Sequence, residues 1–415
     1  MFRCLVLLVS LLCTSAYAST NPYHFVLPSN TSLTPYVVYL KNDPLSRRVA
    51  DYYAERHHID SSKLIGIQVS SNSSSIAVAE FRQLYEKVVN TAKSESHRQF
   101  ILAFSQPYRV GCMSITSAFA FGYDESFCSK KACDLTAQNP YYAARDNAVL
   151  AQKNIIPTMM LAGTTFQQAK ALIDRGVAAQ NSWPQGRAYL VETADPARSA
   201  RKVLYPDVKK QFDELLPVNI LQTEGIKDKK DVLFYFTGAV SVPHLDTLDF
   251  MPGAVADHLT SAGGQLTDSS QMSAMRWLEA GATGSYGTVV EPCSHLEKFP
   301  DPRMLMYYYT KGNTLMEAYW KSVLMPGEGV FIGDPMARPF GGYRVYEAKD
   351  HIVLRTYSLM PGAYRILVSD SVLGPFRPTR FVFKAEDNKI EYKFPKSRQR
   401  VLKIQPVQST SGVSQ

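Results

Sequence analysis

The residue types able to do chemistry gather in a few short stretches. Asp257, His258, Thr260 and Ser261 sit within AVADHLTSAGG, Glu291, Cys293 and His295 alternate within VEPCSH, and His244 and Asp246 precede both in SVPHLDT. A serine or cysteine becomes a nucleophile when a neighbouring imidazole takes its proton. Ser261 or Cys293 with His258, His244 or His295 would therefore compose a hydrolytic site. Asp257 or Glu291 would hold that imidazole in its working tautomer. No nucleophile-elbow sequence accompanies them, and a disulfide at Cys293 would end its candidacy. Asp257, His258, Glu291 and His295 also make a mixed nitrogen and oxygen donor set, but adjacent residues rarely bind one ion together, so no metal or cofactor is expected. The purely structural alternative is that Asp257 and His258 cap a helix through Leu259 to Gly263. Asp334 would then anchor a turn before Pro335, and His57 and His58 would be surface residues at the end of a solvated helix.

These residues must be positioned by the stretch from Pro252 to Pro339, which reads as strand, helix, strand, helix and a tight closing turn. Asp257 and Glu291 then fall just past the ends of consecutive strands. In an open α/β sheet, ligands bind outside those carboxyl ends. The cluster, with Asp246, Thr260, Glu291 and His295 as binding groups, is thus the expected site.

The rest of the chain supplies the sheet. PYVVYLK and LIGIQVS flank a helical pattern through ADYYAERHHI, a β-α-β opening. Glu80 to Ala92 reads as a helix and FILAFS as a third strand. A cysteine-bearing insertion at about 106–158 interrupts the rhythm. The alternation resumes with a helix from Thr165 to Gln180, the strand RAYLVET and the strand VLFYFTG. The fold class is α/β, a doubly wound and largely parallel sheet over 19–342, with subdomains at about 33–200 and 230–342. After Gly342 the pattern becomes five or more short strands with Pro-Gly, Gly-Pro and Asp-Asn turns, a small all-β sandwich over 343–407. Residues 408–415 read as a disordered tail.

Residues 1–18 carry Arg3, an apolar run of about ten residues and an Ala-Tyr-Ala motif, the pattern of a secretory signal peptide. An exported, periplasmic or extracellular protein without a transmembrane segment is expected. Cys112, Cys128, Cys133 and Cys293 then reach an oxidising compartment. Cys128 with Cys133, and Cys112 with Cys293, is the expected pairing of the three possible. The net charge of +8 is concentrated: from Tyr343 onward there are thirteen Lys/Arg and six Asp/Glu. The basic C-terminal module could thus contact an anionic surface. Nothing interleaves aromatic and basic residues in a nucleic-acid pattern.

PGAVADHLTSAGG, GATGSYGTVVEPC, KFPDP, the run from Gly312 to Trp320 and Gly333-Asp334-Pro335, with VVYLKNDPLSRRVADYYAERHHID near the start, resemble an uncharacterised family of exported bacterial proteins. That family is associated with exosortase/PEP-CTERM genomes. The order of elements is also distantly similar to the gingipain-like cysteine peptidases of the caspase-hemoglobinase clan, often followed by an immunoglobulin-like β domain. The resemblance implies a His after one strand and a nucleophilic Cys after the next. Here His244 lies near the first position in a different setting, and no Cys occupies the second. The expectation is a non-peptidase or degenerate relative that binds an envelope polypeptide or polysaccharide at the strand-end cleft. The rival is a hydrolase with a rearranged Ser/Cys-His site.

Overall fold

The computed structural model describes residues 23–28, 33–71, 73–131 and 133–407. The expected signal peptide at 1–18 and the tail at 408–415 lie outside the described residues.

Ten strands form the main sheet: β1 (Thr34–Leu40), β2 (Leu64–Ile67), β3 (Arg98–Leu102), β4 (Thr158–Met160), β5 (Arg187–Glu192), β6 (Val218–Gln222), β7 (Val232–Gly238), β8 (Phe250–Leu259), β9 (Gly284–Thr288) and β10 (Gly329–Gly333). Their spatial order is β6-β5-β7-β8-β9-β10-β4-β3-β1-β2. The four strands at one side come from the first 160 residues, and the pairs among them are parallel. The other group is parallel from β6 through β9, with β10 antiparallel to β9. The two groups meet where Ile332 of β10 abuts Met160 of β4.

Such a sheet is buried on both faces, so its strands are continuously apolar. β7, with the sequence VLFYFTG, is buried along its whole length. Alternate side chains feed different cores. Val37, Ile101, Phe234 and Val255 face one cluster. Val38, Leu102, Met160 and Ile332 face another, and Tyr235 and Ala256 a third.

The helices begin with local capping. Asp43 accepts from the Leu45 amide ahead of α1 (Pro44–Arg56), whose proline sits where no intrahelical N–H is needed. Thr165 and Gln168 form a reciprocal capping box on α2 (Phe166–Ala179). Both helices return from the carboxyl ends of their strands, so their last turns meet near the opposite edge of the sheet. There Asp334, just past β10, lies against Gly176 of α2. A Cβ at Gly176 would run into the Asp334 carboxylate.

Two expectations change here. β8 does not stop at Ala256 but runs through Asp257 and His258 to Leu259. No helix follows at 259–263, so neither residue caps one. Within the expected insertion, the structure shows two short strands, Arg109–Val110 and Met113–Ser114, and helices Ile115–Phe121 and Ala148–Lys153.

The C-terminal part holds two sheets. His24–Val26, Val401–Pro406, Gly362–Ser369 and Arg377–Ala385 make one, and Arg344–Glu347, His351–Arg355 and Glu391–Pro395 the other. Residues of both, including Ile352, Tyr364, Phe394 and Leu402, share one core with Tyr23 and Phe25. The first of these strands comes from the other end of the chain: His24–Val26 pairs parallel with Val401–Lys403. A boundary at 342/343 therefore leaves out one strand of this module. Trp183 packs edge-on against Tyr357, with Arg344 over its ring, where the two parts touch.

Candidate functional site

β8 places Asp257 and His258 on opposite faces of a buried sheet, because successive side chains of a strand point opposite ways. Asp257 enters the core on the Val255 side. It meets the Arg201 Nη2 at 2.5 Å, and both side chains are buried. Arg201 also donates to the carbonyls of Thr237 at 2.8 Å and Pro300 at 3.5 Å. Burial raises the Asp257 carboxyl's pKa, and Arg201 opposes that rise. Beyond the ion pair, the carboxylate makes no hydrogen bond among the described residues. Asp257 is thus the counterion of a buried arginine, with no imidazole to orient.

His258 points the other way and is equally committed. The Trp277 indole N–H donates to its Nδ1 at 2.9 Å, so the ring proton resides on Nε2, which donates to the Met272 carbonyl at 3.1 Å. Burial lowers its pKa to about 4, with Arg201 and Arg198 adding to the shift and the Met272 bond opposing it. A neutral imidazole with both nitrogens engaged inside a core accepts no proton from Ser261. The expected roles of Asp257 and His258 as orienter and base fail for this reason.

Cys293 fails for a covalent one. It is bonded to Cys133, and Cys112 is bonded to Cys128, with Cα separations of 5.2 and 5.7 Å. This replaces the expected Cys128–Cys133 and Cys112–Cys293 pairs. Asp134 holds the CSKKAC loop in a turn by accepting from the Lys131 amide. Cys133 there has φ 74°. Cys128 meanwhile turns in beside Cys112 against the apolar cluster. Closeness in sequence did not bring Cys128 and Cys133 face to face.

The remaining candidates separate. Glu291 accepts from the Cys293 amide at 2.8 Å, and His295 donates through Nε2 to the Cys133 carbonyl at 2.7 Å. Both shape the disulfide loop. His244 is exposed in the left-handed region at φ 62°, and Asp246 is exposed beside it. At the carboxyl end of β8 there remains a polar rim. Thr260 donates to the Gln271 side chain at 2.7 Å and accepts from the Arg198 Nε at 3.3 Å. Asp195 steadies that guanidinium at 2.6 Å. The Ser261 carbonyl accepts from Thr288, and its half-buried residue completes the rim. Arg198 and Gln271 are the rim members that strand patterning did not single out, since they come from a 3₁₀ segment and a loop.

A second polar cluster joins Asp334, expected only as the anchor of a turn, to Tyr53 of α1 and to His57 just past its end, an expected surface residue. At the far end of β9, the Asp334 amide donates to the Thr283 carbonyl, whereas the near end of β9 meets Gly264 through Thr288. Asp334 is fully buried, and its carboxylate accepts from His57 Nε2 at 2.9 Å, Tyr53 OH at 3.1 Å and the Met336 amide at 3.0 Å. Burial raises the Tyr53 hydroxyl's pKa well above its ordinary value, and Asp334 reinforces that. His57 is not a surface residue: its side chain is 4% exposed. It lines a cavity of about 440 Å³ at this edge. Its partner lies 277 positions away, and no spacing signal joins the two.

Neither a family model nor a curated protein matches the chain. Among solved structures, one described as "Structure of Protease" overlays 88% of this chain and 97% of its own length, with 9% identity and a TM-score of 0.44.

Proposed function

We propose that this chain is a non-catalytic binding protein, a degenerate relative of the gingipain-like peptidases in the caspase-hemoglobinase clan. It carries a caspase/gingipain-like α/β region and a basic β-sandwich. The ligand would be an envelope polypeptide or polysaccharide laid along the rim of Arg198, Ser261 and Gln271 at the strand ends, above the buried Thr260 hydroxyl that holds Arg198 and Gln271. The observation that carries this is the state of His258. A base with both ring nitrogens engaged, beside no free thiol, leaves the rim with hydrogen-bonding groups but no activated nucleophile. Arg198 and the side-chain amide of Gln271 suit the hydroxyl, carbonyl and amide groups of an extended polymer. An exported address accords with two disulfides. Among the described residues no helix is long and apolar enough to cross a membrane.

The test is turnover of peptide and ester libraries by the purified protein, alongside Ser261→Ala and His244→Ala, both outside the buried core. The expected result is no turnover by any form, with polymer binding on arrays weakened by Arg198→Ala. Turnover by the parent that disappears in either variant would overturn this reading in favour of a hydrolase using a rearranged Ser-His site.

A further inference from the structure

The cavity of about 440 Å³ beside His57 lies at the opposite edge from the rim, and its walls are chemically uneven. Among the described residues, Arg56, His57, His58 and Arg338 line it, against one acid, Glu317. Glu317 is fully buried with both oxygens engaged. One accepts from Asn147 at 2.8 Å, and the other from the Thr314 amide and hydroxyl, each at 2.9 Å. Glu317 therefore offers an entering ligand little acceptor capacity. Arg338 spends only its Nε, on the Gly312 carbonyl. Its terminal nitrogens make no hydrogen bond among the described residues. Arg56 shares its Nε with Asp174 at 3.3 Å.

The opposite need is also present. Gln99 is 2% exposed and lines the same cavity. Its amide nitrogen donates to the Leu33 carbonyl at 3.3 Å, which fixes the orientation of the group. Its oxygen, Oε1, is then left buried without a partner among the described residues. A buried acceptor without a donor is costly, and an N–H or O–H brought by a ligand relieves it. The floor is cross-linked by hydrogen bonds: Asp334 ties His57, Tyr53 and the turn after β10 together, and the Tyr53 and His57 rings lie 4.3 Å apart. The volume is in the range of small-ligand pockets.

We propose that this cavity is a second ligand site, taking a small carboxylate that carries an adjacent N–H or O–H donor. The carboxylate lies against Arg338 and Arg56, and the donor reaches the Gln99 oxygen. A peptide C-terminus and an acidic sugar both present this chemistry. The site does not depend on the rim, because different residues at the other edge build it.

The experiment is calorimetric titration of the purified chain with N-acetylglycylglycine and with glucuronate, each against its neutral amide. The acid form of at least one probe should bind, at least tenfold more tightly than its amide, as charge-assisted bonds are stronger than neutral ones. Whichever acid binds more tightly identifies the source. Arg56→Gln and Gln99→Leu should each weaken that binding about tenfold, while Arg198→Ala at the rim should leave it unchanged. No binding of either acid at millimolar concentration, or equal binding of acid and amide, would overturn the proposal. So would unchanged affinity in Arg56→Gln, a partly exposed position that keeps the test open even where Gln99→Leu fails to fold.

Discussion

Removing the Asp257 carboxylate strands a buried guanidinium, and the size of that effect follows from the geometry. Arg201 keeps two carbonyl partners, at 2.8 and 3.5 Å, but loses the one counterion it has among the described residues, at 2.5 Å. Unit charges about 4 Å apart attract by about 4 kcal/mol at an effective dielectric of about 20. Breaking one side of a buried pair typically costs about 3–5 kcal/mol, so the two routes agree. Asp257→Asn should therefore lower the urea midpoint by roughly 1 M or more, taking a slope of about 3 kcal/mol per molar. The readout is tryptophan fluorescence. Trp183, Trp277 and Trp320, the chain's three tryptophans, are all buried in the α/β region. The double variant Arg201→Met with Asp257→Leu should recover to within about 1 kcal/mol of the parent, because apolar groups replace both charges at once. A shift below about 0.3 M for Asp257→Asn, or a double variant as unstable as the two singles summed, would refute the buried-pair assignment.

His258 adds a pH dependence. Its folded pKa of about 4 lies below the unfolded value near 6.5. Its contribution is therefore fully present above about pH 6.5 and is lost as pH falls toward 4, up to about 3 kcal/mol. Urea midpoints at pH 7 and 4.5 should differ less in His258→Gln than in the parent, and an equal difference in the two would contradict the buried neutral imidazole. Non-reducing peptide mapping should recover Cys112 linked to Cys128 and Cys133 linked to Cys293, and Cys133→Ser with Cys293→Ser should cost about 2–5 kcal/mol; recovery of a Cys128–Cys133 peptide would contradict the structure. Gly176→Ala drives a methyl into the Asp334 carboxylate, so thermal melting should show a loss of about 1–3 kcal/mol. An unchanged melting temperature would mean that Asp334 is not held against α2.

Much of the architecture was legible because buried parallel strands are apolar runs. VLFYFTG matches β7 residue for residue, and the strands of the opening β-α-β unit begin within a residue of their expected places, although its helix and second strand each end three residues earlier than expected. β8 misled at one point. Two polar residues inside a strand look like its end, and only Arg201 and Trp277, remote in sequence, make Asp257 and His258 tenable inside it. The same holds for His57, which reads as the solvated end of a helix until Asp334 arrives from the far end of the chain. Local patterning reports burial of apolar groups well. It says little about burial of polar ones, since that depends on a partner chosen by the tertiary fold.

The pairing of His24–Val26 with Val401–Lys403 gives the molecule a mechanical property. The strands are parallel and in register from His24 opposite Val401. Tension applied at residue 23 and at residue 407 pulls them in opposite directions along their common axis. The ladder is then loaded in shear, with its hydrogen bonds sharing the force together instead of parting one after another. Tethered at one end and pulled at the other, the chain would meet this clasp first, and the clasp would shield the ten-stranded sheet behind it from the load.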